Sequence, residues 1–511
     1  MAGKTFAAID VGSNEISMKI YEITPKKGAN AVDYVNCIIE LGSDTYKDGK
    51  IGEESIYKVC EILNKFKKKM KEYRVEDYRA YASSAVREAE NSVMVLERIK
   101  MSTDIDVTVL SNSEQRFMNY KAYAASGIDE EMGSNKNTAL LDIGAGSLQI
   151  SIFDKTNLIQ TQNLPIGAVR IRDYLKKFGS DTVALENIME EYVSNFIIEF
   201  RNLFINDKDI KSIIAIGDGI TNLKKAGPEL NIAGRITREQ FAALYKKVVD
   251  TKPEELSEKY GIPYERATLM LPMAIIYQSF LDNSRAEYIM TPHVSFCDGI
   301  VADYMDKNGS LLINKDFDQD ILASADNISK KYKVNRKHTL NVAKNALDIF
   351  DALKHIHGLG KRERLQLHIA ALLHSCGKFV NMSEGTLISY YIIMSTEILG
   401  LSHKEREEIA NIVRYNVYYL PSAKKAQEAL KSADYMKVAK LTSILRLADV
   451  LDKSHKQKIS NIKISIKDNT VVMSVDTLAD ITLEAGLFKE KTELFRKVFG
   501  LKPVLKQRRG L

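Results

Sequence analysis

The stretch A139-L-L-D-I-G-A-G-S-L-Q-I-S-I-F153 joins two apolar runs through an aspartate and a turn of small residues. The same pattern opens the chain as F6-A-A-I-D-V-G-S-N-E-I-S-M-K-I20. Aligned without a gap, Asp10 meets Asp142, Gly12 meets Gly144, Ile16 meets Leu148 and Met18 meets Ile150. Ile16, Met18 and Ile20 alternate with polar neighbours, the period-2 mark of a half-buried strand. One strand–turn–strand device is therefore used twice.

A Gly/Ser turn offers backbone N–H groups without side-chain obstruction, and such a concavity favours phosphate oxygens. The hydroxyls of Ser13 and Ser147 add donors. An aspartate beside the turn repels phosphate unless a cation lies between them, and a magnesium ion resolves that conflict. The bland alternative is a strand connection with an incidental Asp, and duplication at two like places argues against it.

At 511 residues the chain exceeds one core. Strands alternating with helices through about residue 307 argue for two similar α/β halves around a cleft, 1–124 and 125–307. Within them, Ser84–Lys100 has a helical pattern. From 308 to 455 nearly all periodicity is helical. Residues 456–511 return to strands and one helix as a small α/β domain, and the basic tail from Lys506 is expected to fray. A hydrophobic share of 45% and a charged share of 27% suit a globular protein. The net charge of +6 is spread along the chain, too weak for a nucleic-acid partner but compatible with a local groove for a polyanion. The four cysteines form no C-x-x-C pair, which argues against zinc sites and disulfide frameworks and fits a reduced cytoplasm. The N-terminus has no signal-peptide pattern, and no apolar run is long enough to span a membrane.

The motifs resemble the exopolyphosphatase / guanosine-pentaphosphate phosphatase (Ppx/GppA) family. They stand here, in order, as D10-V-G-S-N-E15, S84-A-V-R87, D142-I-G-A-G-S147, the P-I-G-A-V run from Pro165 to Val169, A215-I-G-D-G-I-T221 and S295-F-C-D-G299. The resemblance implies two ribonuclease-H-like halves of the actin, sugar kinase and heat-shock chaperone (ASKHA) superfamily. N335-R-K-H, L373-H-S-C-G-K and L445-R-L-A-D-V-L-D-K-S-H455 are similar to an HD-type helical domain, which long family members carry after the halves.

The implied reaction is Mg²⁺-dependent hydrolysis of a terminal phosphoanhydride, in inorganic polyphosphate or guanosine pentaphosphate. Its charged, loose transition state is served mainly by positioning and neutralisation. Gly12, Ser13, Asn14, Gly144, Gly146 and Ser147 are expected to cradle the phosphate and Arg87 to clamp it bidentately. Asp142, with Asp10, is expected to hold the metal. The family's catalytic Glu falls on Gln115, with Glu114 one residue earlier. A Gln orients water but accepts no proton as a carboxylate does. Glu15, Ala145 and Asp218 are further departures from the family pattern.

In the helical domain His338, His374 and Asp449 remain of the metal set, but the paired Asp is Ser375, a degenerate HD site. The two histidines read as core residues, and the domain as one that binds, extends the groove or dimerises. Its basic residues Lys330, Lys331, Lys333, Arg336, Lys337 and Lys378 line a polyphosphate channel or form a solvated face. Three readings stand: a phosphohydrolase, a catalytically impaired polyphosphate or guanosine-polyphosphate sensor on the same scaffold, and a kinase of the superfamily, against which the S84-A-V-R87 and S295-F-C-D-G299 motifs argue. A homodimer is implied by the resemblance.

Overall fold

The computed structural model describes residues 3–127, 137–154, 157–175, 182–205, 210–230, 232, 234–313, 315–425, 430, 433–459 and 461–508. The chain divides into two compact units, Met1–Lys315 and Asp316–Leu511.

In the first unit, β1 (Lys4–Val11), β2 (Glu15–Thr24) and β3 (Gly28–Ile38) form an antiparallel meander. Strands β4 (Asp77–Ala82) and β5 (Val107–Val109) extend it in parallel, giving the order β3-β2-β1-β4-β5. The second sheet repeats this plan. Strands β6 (Thr138–Ile143), β7 (Leu148–Asp154) and β8 (Asn157–Leu164) are the meander, and β9 (Ser212–Ile216) runs parallel to β6. A short edge strand, β10 (Arg235–Thr237), is added beyond β11 (Tyr288–Met290), giving β10-β11-β9-β6-β7-β8. The repeat holds to the register: Asp10 faces Ser17, and Asp142 faces Gln149. Both turns close the same way, Gly12 N–H to the Glu15 carbonyl and Gly144 N–H to the Ser147 carbonyl, 2.9 Å each. These are the two ribonuclease-H-like halves expected from the sequence.

Alternation along β1 explains how the first sheet is sandwiched. Ala7, Ile9 and Val11 pack with Val59, Leu63 and Phe66 of the helix Glu53–Glu72. Phe6 and Ala8 face the other way, onto Ile300, Val301 and Tyr304 of the helix Phe296–Lys307. A large apolar side chain of this kind, fully buried, contributes about 1.5–3 kcal/mol. The helix Phe296–Lys307 lies in the sequence range assigned to the second half, yet it packs on the first sheet. It crosses the helix Asn112–Ala125 at backbone distance, since a Cβ on Gly299 would sit 2.3 Å from the Met118 carbonyl oxygen. Lys121 reinforces the crossing through Asp303 at 2.8 Å and Asp306 at 2.6 Å.

The helix read over Ser84–Lys100 is in fact two, Ser84–Glu88 and Ser92–Thr103. The break is set by a distant loop: Glu90 N–H donates to the Gly49 carbonyl, and the Asn91 amide brackets the Ile51 backbone at 2.8 and 3.0 Å. Local periodicity does not report such bonds.

The second unit packs the helices Phe317–Lys331, Arg336–Ala352, Lys361–Leu373, Gly385–Ser395, His403–Val417 and Tyr435–Val450 around Leu367, Ile409, Leu441 and Leu445. It ends in β12 (Ile462–Lys467), β13 (Thr470–Asp476), the helix Thr482–Phe499 and β14 (Lys502–Arg508). The basic tail does not fray over its described part. Lys506, Gln507 and Arg508 belong to β14, which runs parallel to β13. Among the described residues no helix is long and apolar enough to cross a membrane.

Candidate active site

The two repeated turns meet at one cavity of about 180 Å³ within the first unit. Asp10, Gly12, Ser13 and Asn14 line it from the first turn, and Asp142, Gly144, Ala145 and Ser147 from the second. The third Gly loop adds Gly217, Gly219 and Asn222. The Asp218 side chain lies outside the described residues.

The family-type motifs divide into residues that face the cavity and residues that hold it open. Ser13 Oγ accepts from the Ala85 N–H at 3.0 Å and lies 2.9 Å from Ser84 Oγ. Tyr46 hydroxyl joins this cluster, 2.9 Å from Ser84 Oγ. S84-A-V-R87 thus supports the first turn. Arg87 does not line the cavity. Its guanidinium donates to the Leu110 carbonyl at 2.8 Å and to the Asn112 side chain. It braces the loop that leads into the helix Asn112–Ala125 instead of reaching in as a clamp. Gly146 is also outside the lining, because Tyr46 occupies the space above it: a Cβ there would lie 2.3 Å from the Tyr46 hydroxyl. Arg170 seals this contact. It donates to the Gly146 carbonyl at 2.8 Å, lies over the Tyr46 ring at 4.6 Å and pairs with Glu88 at 2.6 Å. Asp298 of S295-F-C-D-G299 is structural too, accepting from Ser295, Lys19 and Tyr21 at 2.7–2.8 Å.

Glu114 and Gln115 are separated by the helix start. Glu114 is consumed by a capping box: its carboxylate accepts from the Ser111 N–H at 2.9 Å and hydroxyl at 2.8 Å, while its own N–H donates to Ser111 Oγ. Gln115, about 100° further round the helix, lines the cavity. Its Oε1 is buried without a hydrogen-bond partner among the described residues. The position of the expected catalytic carboxylate therefore carries an amide aimed at the cavity.

One helical turn on from Gln115, Asn119 lies on the same face and donates to Asp142 Oδ2 at 2.5 Å. Burial lifts the Asp142 carboxyl to about 6, against the lowering effects of the Asn119 bond and the Arg116 charge. The residues present suit a hard cation. Asp10 and Asp142 offer carboxylates, and Asn14 Oδ1 and Gln149 Oε1, like Gln115 Oε1, are buried oxygens without a partner among the described residues. An all-oxygen donor set is what Mg²⁺-type ions require.

Sequence reasoning missed Asn119, Asn222, Gln149 and Arg266. Asn119 had a usable signal, its i,i+4 spacing from Gln115. Arg266 had none: it comes from a short helix, Tyr264–Ala267, and forms an ion pair with Glu15 at the cavity wall. That pair neutralises the charge which made Glu15 look out of place beside a phosphate site.

Residues 20–308 match the Ppx/GppA phosphatase family, and residues 322–492 match Ppx/GppA phosphatase, domain III. A guanosine-5'-triphosphate,3'-diphosphate pyrophosphatase of Photobacterium profundum is 21% identical over 485 residues, 92% of this chain and 91% of that protein. Exopolyphosphatase 1 of Mycobacterium tuberculosis is 27% identical over 169 residues, 33% of this chain and 48% of that protein. The solved structure of an exopolyphosphatase from Cytophaga hutchinsonii shares the fold, with a TM-score of 0.53 at 21% identity over 60% of this chain and 98% of its own. With the duplicated turn, its closing hydrogen bonds and a profile match over more than half its length, the chain belongs to the Ppx/GppA phosphatase family.

Proposed function

We propose that the protein hydrolyses the terminal phosphoanhydride of inorganic polyphosphate, and of guanosine pentaphosphate, in the cavity between its two turns. The observation that carries this reading is the convergence of Asp10, Asp142 and Gln115 with both turns on one cavity. The Gly12 and Gly144 N–H groups are spent closing the turns. Ser13, Asn14, Ala145 and Ser147 line the cavity, and their N–H groups would meet phosphate oxygens. Asp142 and Asp10 would hold a divalent cation, magnesium in this reading. When bound, the cation neutralises charge that develops on the phosphoryl oxygens. Gln115 presents Oε1 to a water and orients it toward phosphorus.

The sensor alternative rested on Gln115 and Ser375, and Ser375 lies in the second unit, not among the cavity residues. Phosphoryl transfer through a loose transition state depends on positioning and neutralisation, and a Gln that orients water serves phosphohydrolases. The relatives named above are named for hydrolysis, not for binding. A homodimer, implied by the family resemblance, and a cytoplasmic location, which the four cysteines without a C-x-x-C pair fit, complete the reading.

The direct test is phosphate release, with Mg²⁺, from long-chain polyphosphate and separately from guanosine pentaphosphate. Release from at least one substrate, abolished by a chelator, is expected. Silence toward both across a range of divalent cations would overturn the proposal. In the same assay Glu15→Gln frees Arg266 for the incoming polyanion. A KM lower by roughly 3–10-fold with kcat unchanged is expected, because a charge-assisted contact is gained in ground and transition state alike.

A further inference from the structure

We propose that the second unit holds a single divalent transition-metal ion on His338, His374 and Asp449. The site is built where three helix ends meet. His338 lies in the first turn of Arg336–Ala352, His374 at the C-cap of Lys361–Leu373, and Asp449 in the last turn of Tyr435–Val450. One ligand atom from each lies within 4.8 Å of the others. His338 Nε2 is 3.5 Å and His374 Nε2 3.6 Å from the same oxygen, Asp449 Oδ1. These separations are too long for good hydrogen bonds, which run to about 3.2 Å. They match the spacing of ligand atoms around a tetrahedral ion, since metal bonds of about 2.0–2.2 Å set neighbouring ligands about 3.3–3.6 Å apart.

The outer contacts aim both imidazoles inward. His374 Nδ1 donates to the Ala371 carbonyl at 2.8 Å, so its lone pair is on Nε2. That Nε2 belongs to a side chain only 6% exposed and has no hydrogen-bond partner among the described residues. His338 Nδ1 donates to Asp452 at 2.9 Å, and Asp452 is fixed in turn by Gln457 at 2.7 and 3.1 Å. A carboxylate behind a histidine is the usual outer support of a metal-bound imidazole. His455 stacks on His338 at 3.7 Å and holds the ring plane. Asn416 donates to the far oxygen of Asp449, leaving Oδ1 for the ion. Two core histidines would need partners for their inner nitrogens, and here those nitrogens face each other and a carboxylate. Two imidazoles and one carboxylate suit zinc, cobalt, manganese or iron better than magnesium. Ser375 offers no carboxylate beside His374, and the described cluster accordingly supports one ion.

The inference does not rest on the hydrolase reading. Its test is Co²⁺ titration of the full chain after chelator treatment, followed by visible d–d absorption and by metal analysis after buffer exchange. One equivalent of Co²⁺ with an intense visible band, displaced by Zn²⁺, is expected. His374→Gln and Asp449→Asn should abolish the band. Asp452→Asn, which keeps every ligand, should weaken binding about 10–100-fold and decides the matter if His374→Gln fails to fold by circular dichroism. Asp142→Asn should leave the band unchanged, which separates this ion from a cation in the active-site cavity. No visible band, or a band that survives in all three second-unit variants or disappears in Asp142→Asn, would overturn the proposal.

Discussion

Asp142→Asn is expected to cut phosphate release by about 10²–10³-fold, the scale on which removal of one preorganised electrostatic partner is felt. The same variant should be more stable than the native chain when both are held in chelator at pH 8. Burial raises the native carboxyl from 3.8 to about 6. A raised pKa means that the folded state binds the proton more tightly than the unfolded state. The native chain therefore loses stability as pH rises from about 4 through about 6, and above that window it carries the full penalty. The shift of about two units bounds that penalty near 3 kcal/mol, and an open cavity screens it to about 1–2 kcal/mol. Asn keeps a partner for the Asn119 amide without the charge. Differential scanning fluorimetry from pH 4 to pH 8 reads the effect directly. The two melting temperatures should converge near pH 4 and separate above pH 6. Magnesium should raise the native value at pH 8 and leave the variant unmoved. A variant that is inactive and also less stable at pH 8 would make Asp142 a structural residue and remove it from the metal site.

What could be read from sequence, and what could not, follows from the range of each interaction. The repeated turn was legible because everything that makes it lies within a dozen residues: an alternating strand, an Asp one pleat before the turn, and a Gly whose N–H closes it. Both copies have the same register. The roles of individual turn residues were less legible. Gly146 looked like part of a phosphate cradle but is required by Tyr46, a residue of the other half. Arg87 looked like a clamp because guanidinium suits phosphate, yet sequence carries no information on where a long side chain points. In the fold the Leu110 carbonyl and Asn112 claim it. Arg266 and Glu15 are 251 positions apart, and only the closed fold pairs them. The helical unit shows the reverse case. His338, His374 and Asp449 were visible as residues, and Ser375 argued against them as a set. What speaks for them is a pair of distances and two outer hydrogen bonds, neither of which leaves a trace in spacing. Of the basic residues read as lining a channel or forming a solvated face, Lys330 and Arg336 pair with Asp326, a contact that their spacing does not disclose.

Gln115→Ala is expected to lower kcat by roughly 10–10²-fold with KM little changed, because a water-orienting contact acts in the transition state and not on bound phosphate. Glu114→Gln should leave both constants near native, since Gln also completes a capping box, and the melting temperature should hold as well. This pair separates the two neighbours by geometry: Glu114 is held at the Ser111 cap, and Gln115 faces the cavity. Gln115→Glu is the informative third variant. A carboxylate there would be buried near Asp142 and Asp10, and both burial and like charge push its pKa up. It would act as a general base only above that raised pKa, where such a base is worth about 10²–10⁴-fold. The expected pH–rate profile therefore rises more steeply than the native one and overtakes it on the alkaline side. A native profile that is flat where the Gln115→Glu profile climbs identifies the amide as an orienting group. A Gln115→Ala enzyme with native kcat would shift the search for the water-positioning residue to Asn119, Gln149 and Asn222, which also line the cavity with amides.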